Sequence, residues 1–294
     1  MAMKLSSDLE RWRAAGHTFL HRGLPVFYRV EGSGPALLAI HGFPSASYDF
    51  APIWGELTKH FRVIAPDMLG FGFSAKPRGY PYSVVKQTDL HEALLAELGV
   101  PHAHVLAHDY GVSVAQELLA RQAIHAVNTV GSVCFLNGGI FPERHRPRRI
   151  QTLVAGPLGG VLQRLGGKGS FRRGLCSVFG PATQPSPQFL EELYALLRHN
   201  DGQLALHNLL DYMRERREQR ERWVGAVKRT DVPLRLIDGV LDPVSGAHLA
   251  AYYREQVPEA DVVELNVGHY PHVEDPASVL AAFLTFQRRI GTLS

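Results

Sequence analysis

The chain has 294 residues, is 45% hydrophobic and 20% charged, and carries a net charge of +3, an ordinary globular composition that excludes disordered and fibrous classes. Two cysteines, Cys134 and Cys176, cannot build a disulfide framework and suit a reducing compartment. No apolar run reaches the roughly 18–20 residues needed to span a bilayer, and the charged first 30 residues have no secretory h-region, so a cytoplasmic protein is expected.

The first half alternates two patterns. Ala36-Leu37-Leu38-Ala39-Ile40 is a continuous apolar run, as a strand buried on both faces requires, and 62–65 and 104–107 read the same way. Between the last two, Leu90, Ala93, Leu94 and Leu98 recur at helical spacing before Gly99. A second helical stripe, Gly111, Val114, Ala115, Leu118 and Leu119, follows Ala107, and a further strand runs from Val130 to Leu136. That rhythm predicts right-handed βαβ units and a mostly parallel sheet of about eight strands with helices on both faces.

From Phe141 to Arg229 the rhythm stops. Breaks at Gly156-Pro157, Gly159-Gly160, Gly166-Gly167 and Gly180-Pro181 separate short helical stretches, one carrying Leu206, Leu209, Leu210 and Met213 at i, i+3, i+4, i+7. Strand patterns resume at 232–237 and 261–265, and a closing helix is expected from about 277 to 289. The expected organisation is therefore an α/β core, residues 1–140 and 230–294, interrupted by a helical cap over 141–229. Residues 141–230 hold 16 Lys/Arg against 8 Asp/Glu. A nucleic-acid surface would need aromatic interleaving, which is missing, so the Arg214–Arg222 run reads as a solvated helix face with i,i+4 pairs.

The chemistry centres on Ala107-His108-Asp109-Tyr110-Gly111, a small-x-nucleophile-x-small elbow between a strand and a helix, with Asp109 at its apex. His41-Gly42-Phe43-Pro44 follows the strand ending at Ile40; an N–H near Phe43 can pair with that of Tyr110 as an oxyanion hole. His41 reads as a loop tie rather than a base, and Phe43-Pro44 as a candidate cis bond. Asp242 and His269 follow the last two strands, giving the chain order nucleophile, acid, histidine; Asp238 and His272 are their rivals. His102 and His104, without carboxylate support, do not make a metal site, and no cofactor is expected.

The Asp elbow, the His-Gly-x-Pro loop, Asp67-Met68-Leu69-Gly70-Phe71-Gly72-Phe73-Ser74 and the Gly268-His269 pair resemble the α/β-hydrolase branch that holds epoxide hydrolases and haloalkane dehalogenases. Leu136-Asn137-Gly138-Gly139-Ile140-Phe141-Pro142-Glu143, Val178-Phe179-Gly180-Pro181, Asn200-Asp201-Gly202 and Arg222-Trp223-Val224-Gly225-Ala226 are similar to the mesoderm-specific transcript proteins. An aspartate nucleophile gains little by attacking an ester or amide carbonyl, but at an sp³ carbon it forms an alkyl ester that water activated by His269 can hydrolyse. The expected partners are thus a small apolar epoxide or alkyl halide and water, with no nucleic acid. Dehalogenases of the branch place a Trp after the nucleophile, where this chain has Tyr110, and its only cap Trp is Trp223; that favours the epoxide. The resemblance further implies cap tyrosines that protonate the leaving oxygen, for which Tyr212 and Tyr194 are candidates. Phe43, Phe141, Leu209 and Met213 are the expected apolar walls of a pocket between cap and sheet. A non-catalytic binding protein on the same fold is the alternative of a different class.

Overall fold

A computed structural model describes residues 5–125, 129–148, 153, 156 and 167–294. It contains one eight-stranded sheet with the order β1-β2-β4-β3-β5-β6-β7-β8. β1 (His17–His21) and β2 (Leu24–Glu31) form an antiparallel hairpin across Arg22-Gly23, both at positive φ, and β2 pairs antiparallel with β4. β3 (Ala36–Ile40), β4 (Arg62–Pro66), β5 (Ala103–His108), β6 (Val130–Leu136), β7 (Leu234–Gly239) and β8 (Val262–Leu265) are mutually parallel. The parallel strands are those whose apolar runs are legible in the sequence. The hairpin is not so marked, because β1 is largely exposed and has only Phe19 and Leu20 as apolar residues.

The core lies on both faces of the sheet. One layer packs α3 (Val84–Glu97) and α4 (Tyr110–His125) against the sheet through Leu90, Leu94, Val114 and Leu118. The other packs α1 (Ser7–Ala14), α2 (Ala51–Leu57) and the helix Pro276–Arg289 through Leu9, Trp54, Leu57, Phe283 and Phe286. The chain order reverses direction across the sheet between β4 and β5, on either side of β3, which makes the C-terminal ends of β3 and β5 the natural crevice of an open α/β sheet.

Among the described residues no strand occurs between β6 and β7; that stretch holds the helices Lys168–Cys176, Pro187–Arg198, Leu206–Leu209, Tyr212–Glu218 and Arg220–Arg229. Pro157, Gly159, Gly160 and Gly166 of the expected breaks lie outside the described residues. The charged run is not one solvated face. The helix breaks at Gln219, and while Arg214 pairs with Glu218 at 3.3 Å, Arg216 is buried and Arg222 turns inward to Glu117. The helix Arg220–Arg229 packs along α4, with Trp223 Nε1 donating to Glu117 Oε2 at 2.7 Å, so it covers the sheet layer rather than the cavity. No helix of the described residues is long and apolar enough to cross a membrane.

Candidate active site

Strand register assembles the site. Ile40 is level with Ala107, His108 with Leu136, and Leu136 with Ile237, so the loops that leave β3, β5, β6 and β7 emerge side by side. Asp109 caps β5 with φ 45°, a left-handed conformation that L residues other than Asn, Asp and Gly seldom adopt. The turn needs Gly111 as well: a Cβ there would lie 2.4 Å from the Ile40 carbonyl. The Asp109 N–H bonds the Asn137 carbonyl at 3.0 Å, and Arg216 Nη2 donates to the Asp109 carbonyl at 3.0 Å while its Nε donates to Ser113 Oγ at 2.6 Å. The elbow is thereby pinned from the sheet and from the cap.

Asp109 Oδ2 accepts the Phe43 N–H at 2.9 Å, and Oδ1 lies 3.8 Å from His269 Nε2, a charge contact rather than a hydrogen bond. His269 Nδ1 donates to Asp242 Oδ2 at 2.7 Å. Asp242 accepts further bonds from the Val244 and Ser245 N–H groups, from Ser245 Oγ and from Asn137 Nδ2 at 3.2 Å. Burial opposes charge on Asp242, but His269 and these donors hold its carboxyl far below the usual range. Burial also opposes charge on Asp109; His269, Arg216, His108 and the Phe43 N–H together keep its carboxyl lowered. Burial alone would lower the His269 imidazole, yet Asp242 and then Asp109 raise it to about 9. The resting site is a carboxylate, an imidazolium and a second carboxylate, all nearly inaccessible.

The rivals are placed differently. His41 Nε2 accepts the Met68 N–H at 3.0 Å and its Nδ1 bonds the Gly42 carbonyl, so this ring ties the loop down. The Phe43-Pro44 bond is cis. Asp238 is fully buried beside Asn137, with its carboxyl pushed up to about 8 by burial and by Asp242. His272 is buried against His108 and Phe50. The Tyr110 N–H opens α4, where the first N–H groups of a helix have no intrahelical acceptor.

A model of the alpha/beta hydrolase family matches residues 37–283. The chain is an α/β-hydrolase. It is 44% identical to the mesoderm-specific transcript homolog protein of Bos taurus over 96% of its own length and 89% of that protein, and belongs with those proteins. It is 38% identical to the putative hydrolase LipZ of Mycobacterium tuberculosis, over 95% and 98% of the two chains. At 26% it is similar to a cis-3-alkyl-4-alkyloxetan-2-one decarboxylase of Shewanella oneidensis, over 95% and 90%. Among solved structures it resembles the epoxide hydrolase CorEH, with a TM-score of 0.76, 20% identity and coverage of 94% and 99%. It also resembles a haloalkane dehalogenase DbeA loop variant from Bradyrhizobium elkanii, with a TM-score of 0.77, 21% identity and coverage of 94% and 97%.

In this α/β-hydrolase a cavity of about 200 Å³ opens above Asp109 and His269. Phe43 lines it from the core, and Phe171, Leu175, Leu206 and Leu210 from the cap. Phe141, Leu209 and Met213 are not among its walls. Phe141 packs on Tyr252 and Tyr253, and Leu206, Leu209, Leu210 and Met213 all pack in one core cluster, of which Leu206 and Leu210 also reach the cavity. Tyr194 lines the cavity. Tyr212 does not: its ring packs on Tyr110 and Phe43 with the Arg216 guanidinium 4.4 Å from its centroid, and its buried hydroxyl has no hydrogen-bond partner. Burial and the Asp109 charge push that phenol well above its ordinary range.

Several functional contacts carry no motif in the sequence. His108 Nε2 donates to the His269 carbonyl at 2.8 Å, and the His269 N–H bonds the Val178 carbonyl of the cap at 2.9 Å. Glu274 Oε2 takes the Gly180 and Gly268 N–H groups and so fastens the same cap turn to the histidine loop. Among the described residues, the donor atoms that converge for a metal are those of Asp49, His108 and His272, within 4.8 Å of one another. His108 Nε2 bonds the His269 carbonyl and Asp49 Oδ2 accepts from Ser45, while His108 Nδ1, Asp49 Oδ1 and both His272 nitrogens are buried with no hydrogen-bond partner.

Proposed function

We propose that this α/β-hydrolase opens an epoxide to a vicinal diol through an alkyl ester on Asp109. The observation that supports it best is the aspartate at the elbow, ionised, held by one N–H and facing a histidine that Asp242 orients. Asp109 Oδ1 attacks a ring carbon, the carbon–oxygen bond breaks, and the alkoxide takes a proton from a cap phenol, for which cavity-lining Tyr194 is the better candidate. Water then attacks the Asp109 carbonyl carbon and gives its proton to His269 Nε2. The Phe43 and Tyr110 N–H groups stabilise the oxyanion; collapse expels the second diol oxygen, which takes the proton from His269, and the Asp109 carboxylic acid left behind returns its proton to the phenolate, restoring the carboxylate.

The charges give this sequence its timing. While Asp109 is an anion it helps keep His269 protonated and unable to act as a base. Esterification removes that negative charge, the imidazole pKa falls, and a neutral base becomes available only once there is an ester to hydrolyse. Dehalogenation draws less support, because a departing halide wants N–H donors and Trp223 Nε1 is committed to Glu117.

The decarboxylase relative favours one other reading. A β-lactone attacked at its sp³ ring carbon by Asp109 expels a carboxylate, which needs no phenolic acid. Loss of carbon dioxide then forms the alkene and returns the aspartate, with no water consumed. The deciding experiment is intact-protein mass spectrometry of His269→Gln after incubation with an aryl epoxide, a bromoalkane or a cis-β-lactone. Removing the base stalls the hydrolytic cycle, so an epoxide-sized adduct on Asp109 is expected. An adduct from the bromoalkane alone, or alkene release from the lactone with no epoxide adduct, would sink the epoxide reading. No adduct and no product from any of them would support a binding protein.

A further inference from the structure

The cavity that lies above Asp109 has Phe171, Leu175, Leu206 and Leu210 among its walls, and polar residues at the C-terminal end of the helix Pro187–Arg198. There Arg198 and Gln203 both line it. Arg198 is half-buried and, among the described residues, has no carboxylate partner. The nearby acids are spent elsewhere: Glu191 on Lys168 at 2.5 Å, Glu192 on Ser6 and Tyr48, and Asp201 on Arg78 at 3.4 Å. The residues of the cap not described here supply none, since from 144 to 190 the chain has eight Lys/Arg and no Asp or Glu. Arg148 from that basic segment also lines the cavity. Asp109 is thus the sole carboxylate in the lining.

Gln203 is a second, independent sign. It is 7% exposed, it lines the cavity, and its Oε1 has no hydrogen-bond partner. A buried polar group left unsatisfied is costly, so a ligand that satisfies it is favoured. Rotation about its last bond turns the amide N–H₂ to the same place, because the two ends of the group are interchangeable in shape. The two residues are joined by a costly turn: Asn200 and Asp201 are consecutive left-handed residues at φ 50° and 57°. Gly202 completes it, where a Cβ would lie 2.5 Å from the Leu197 carbonyl. Folding the chain back this way is what brings Gln203 to the cavity that Arg198 lines.

We propose that Arg198 and Gln203 form a carboxylate-binding subsite, and that the substrate is an anionic amphiphile. Its apolar chain lies along Phe171, Leu175, Leu206 and Leu210, and its carboxylate meets the guanidinium fork and the amide. The proposal rests on reading this cavity as the substrate site, but not on which electrophile the substrate carries. The Asn-Asp-Gly turn acquires a purpose: it brings Gln203 to the cavity that Arg198 lines.

The test uses the full chain and two probes of equal length, octanoate and 1-octanol, in calorimetric titrations at low salt, with kcat/KM measured on an epoxide acid and its methyl ester. Octanoate is expected to bind at least tenfold tighter than 1-octanol, and the acid to outperform the ester by a similar factor. Arg198→Gln removes both preferences, whereas Arg198→Lys keeps part of them; thermal melts confirm that both variants fold. Equal binding of the two probes, or an Arg198→Gln variant that keeps the preference, overturns the proposal. So does binding to phosphatidylglycerol vesicles without any preference for free octanoate, which would assign the basic segment to a membrane surface. An octanoate preference lost in Arg198→Gln, with no epoxide adduct or turnover, leaves the subsite standing and removes the epoxide reading alone.

Discussion

The Asp242–His269 pair and Gln203, which meet the same cavity from opposite sides, are held very differently. On the core side every reacting group is satisfied: Asp242 receives bonds from His269, Asn137, Val244 and Ser245, and His269 is held at Nδ1, N–H and carbonyl. On the cap side Gln203 Oε1 lines the cavity buried and with no hydrogen-bond partner. A satisfied network is stiff and fixes one geometry, which suits a chemical step. Unsatisfied groups favour whatever completes them, which suits selection of a ligand.

The strongest way to break that contrast is on the core side. Asp242→Asn is expected to lower turnover by about 10²–10⁴-fold, as loss of the orienting acid does in related triads, in steady-state assays. The same variant reports on stability. His269 has its folded-state pKa raised to about 9, above the ordinary histidine value, so its contribution is fully present below about 6.5 and is lost as pH rises through about 9. The difference in Tm between wild type and Asp242→Asn should therefore narrow between pH 6 and pH 10. A gap that stays constant with pH would mean that the pair does not carry a proton in the folded state.

On the cap side the sharper comparison is between two tyrosines. Tyr194→Phe should slow alkylation by an epoxide by roughly 10²-fold, the low end of what a positioned general acid contributes, in single-turnover experiments. Tyr212→Phe should alter turnover much less, because its hydroxyl lies outside the cavity. The reverse order would return the acid role to Tyr212. The smallest effect is expected at the seam between the two sides: Trp223→Phe removes the bond to Glu117 and should cost about 1–3 kcal/mol in urea unfolding, with turnover unchanged.

Much of the core was legible in the sequence, because its signals are local. A strand buried on both faces must be apolar throughout, and an elbow must have small residues two places either side of its apex; Ala36–Ile40 and Ala107–Gly111 obey those rules. The N-terminal hairpin escaped because an edge strand that is mostly exposed needs no apolar run. The cap was read less well for a geometric reason. A helical stripe such as Leu206, Leu209, Leu210 and Met213 says that a face is buried, not against what, and here all four pack in the core cluster while Leu206 and Leu210 also line the cavity. Arg216 was equally invisible, since nothing in a run of alternating charges marks the one member that is only 2% exposed and bonded to the nucleophile's carbonyl.

The histidine loop is stitched to the cap at Val178 and Gly180, and that has a bearing on how such proteins diversify. A lid that merely covers a pocket can be exchanged by recombination without disturbing the machinery beneath. Here a graft that replaces residues 178–180 also replaces a partner of the His269 N–H and one of the anchors of Glu274. New specificities are therefore reached more readily by change inside the cap, around 171–175 and 198–210, than by transplanting it whole.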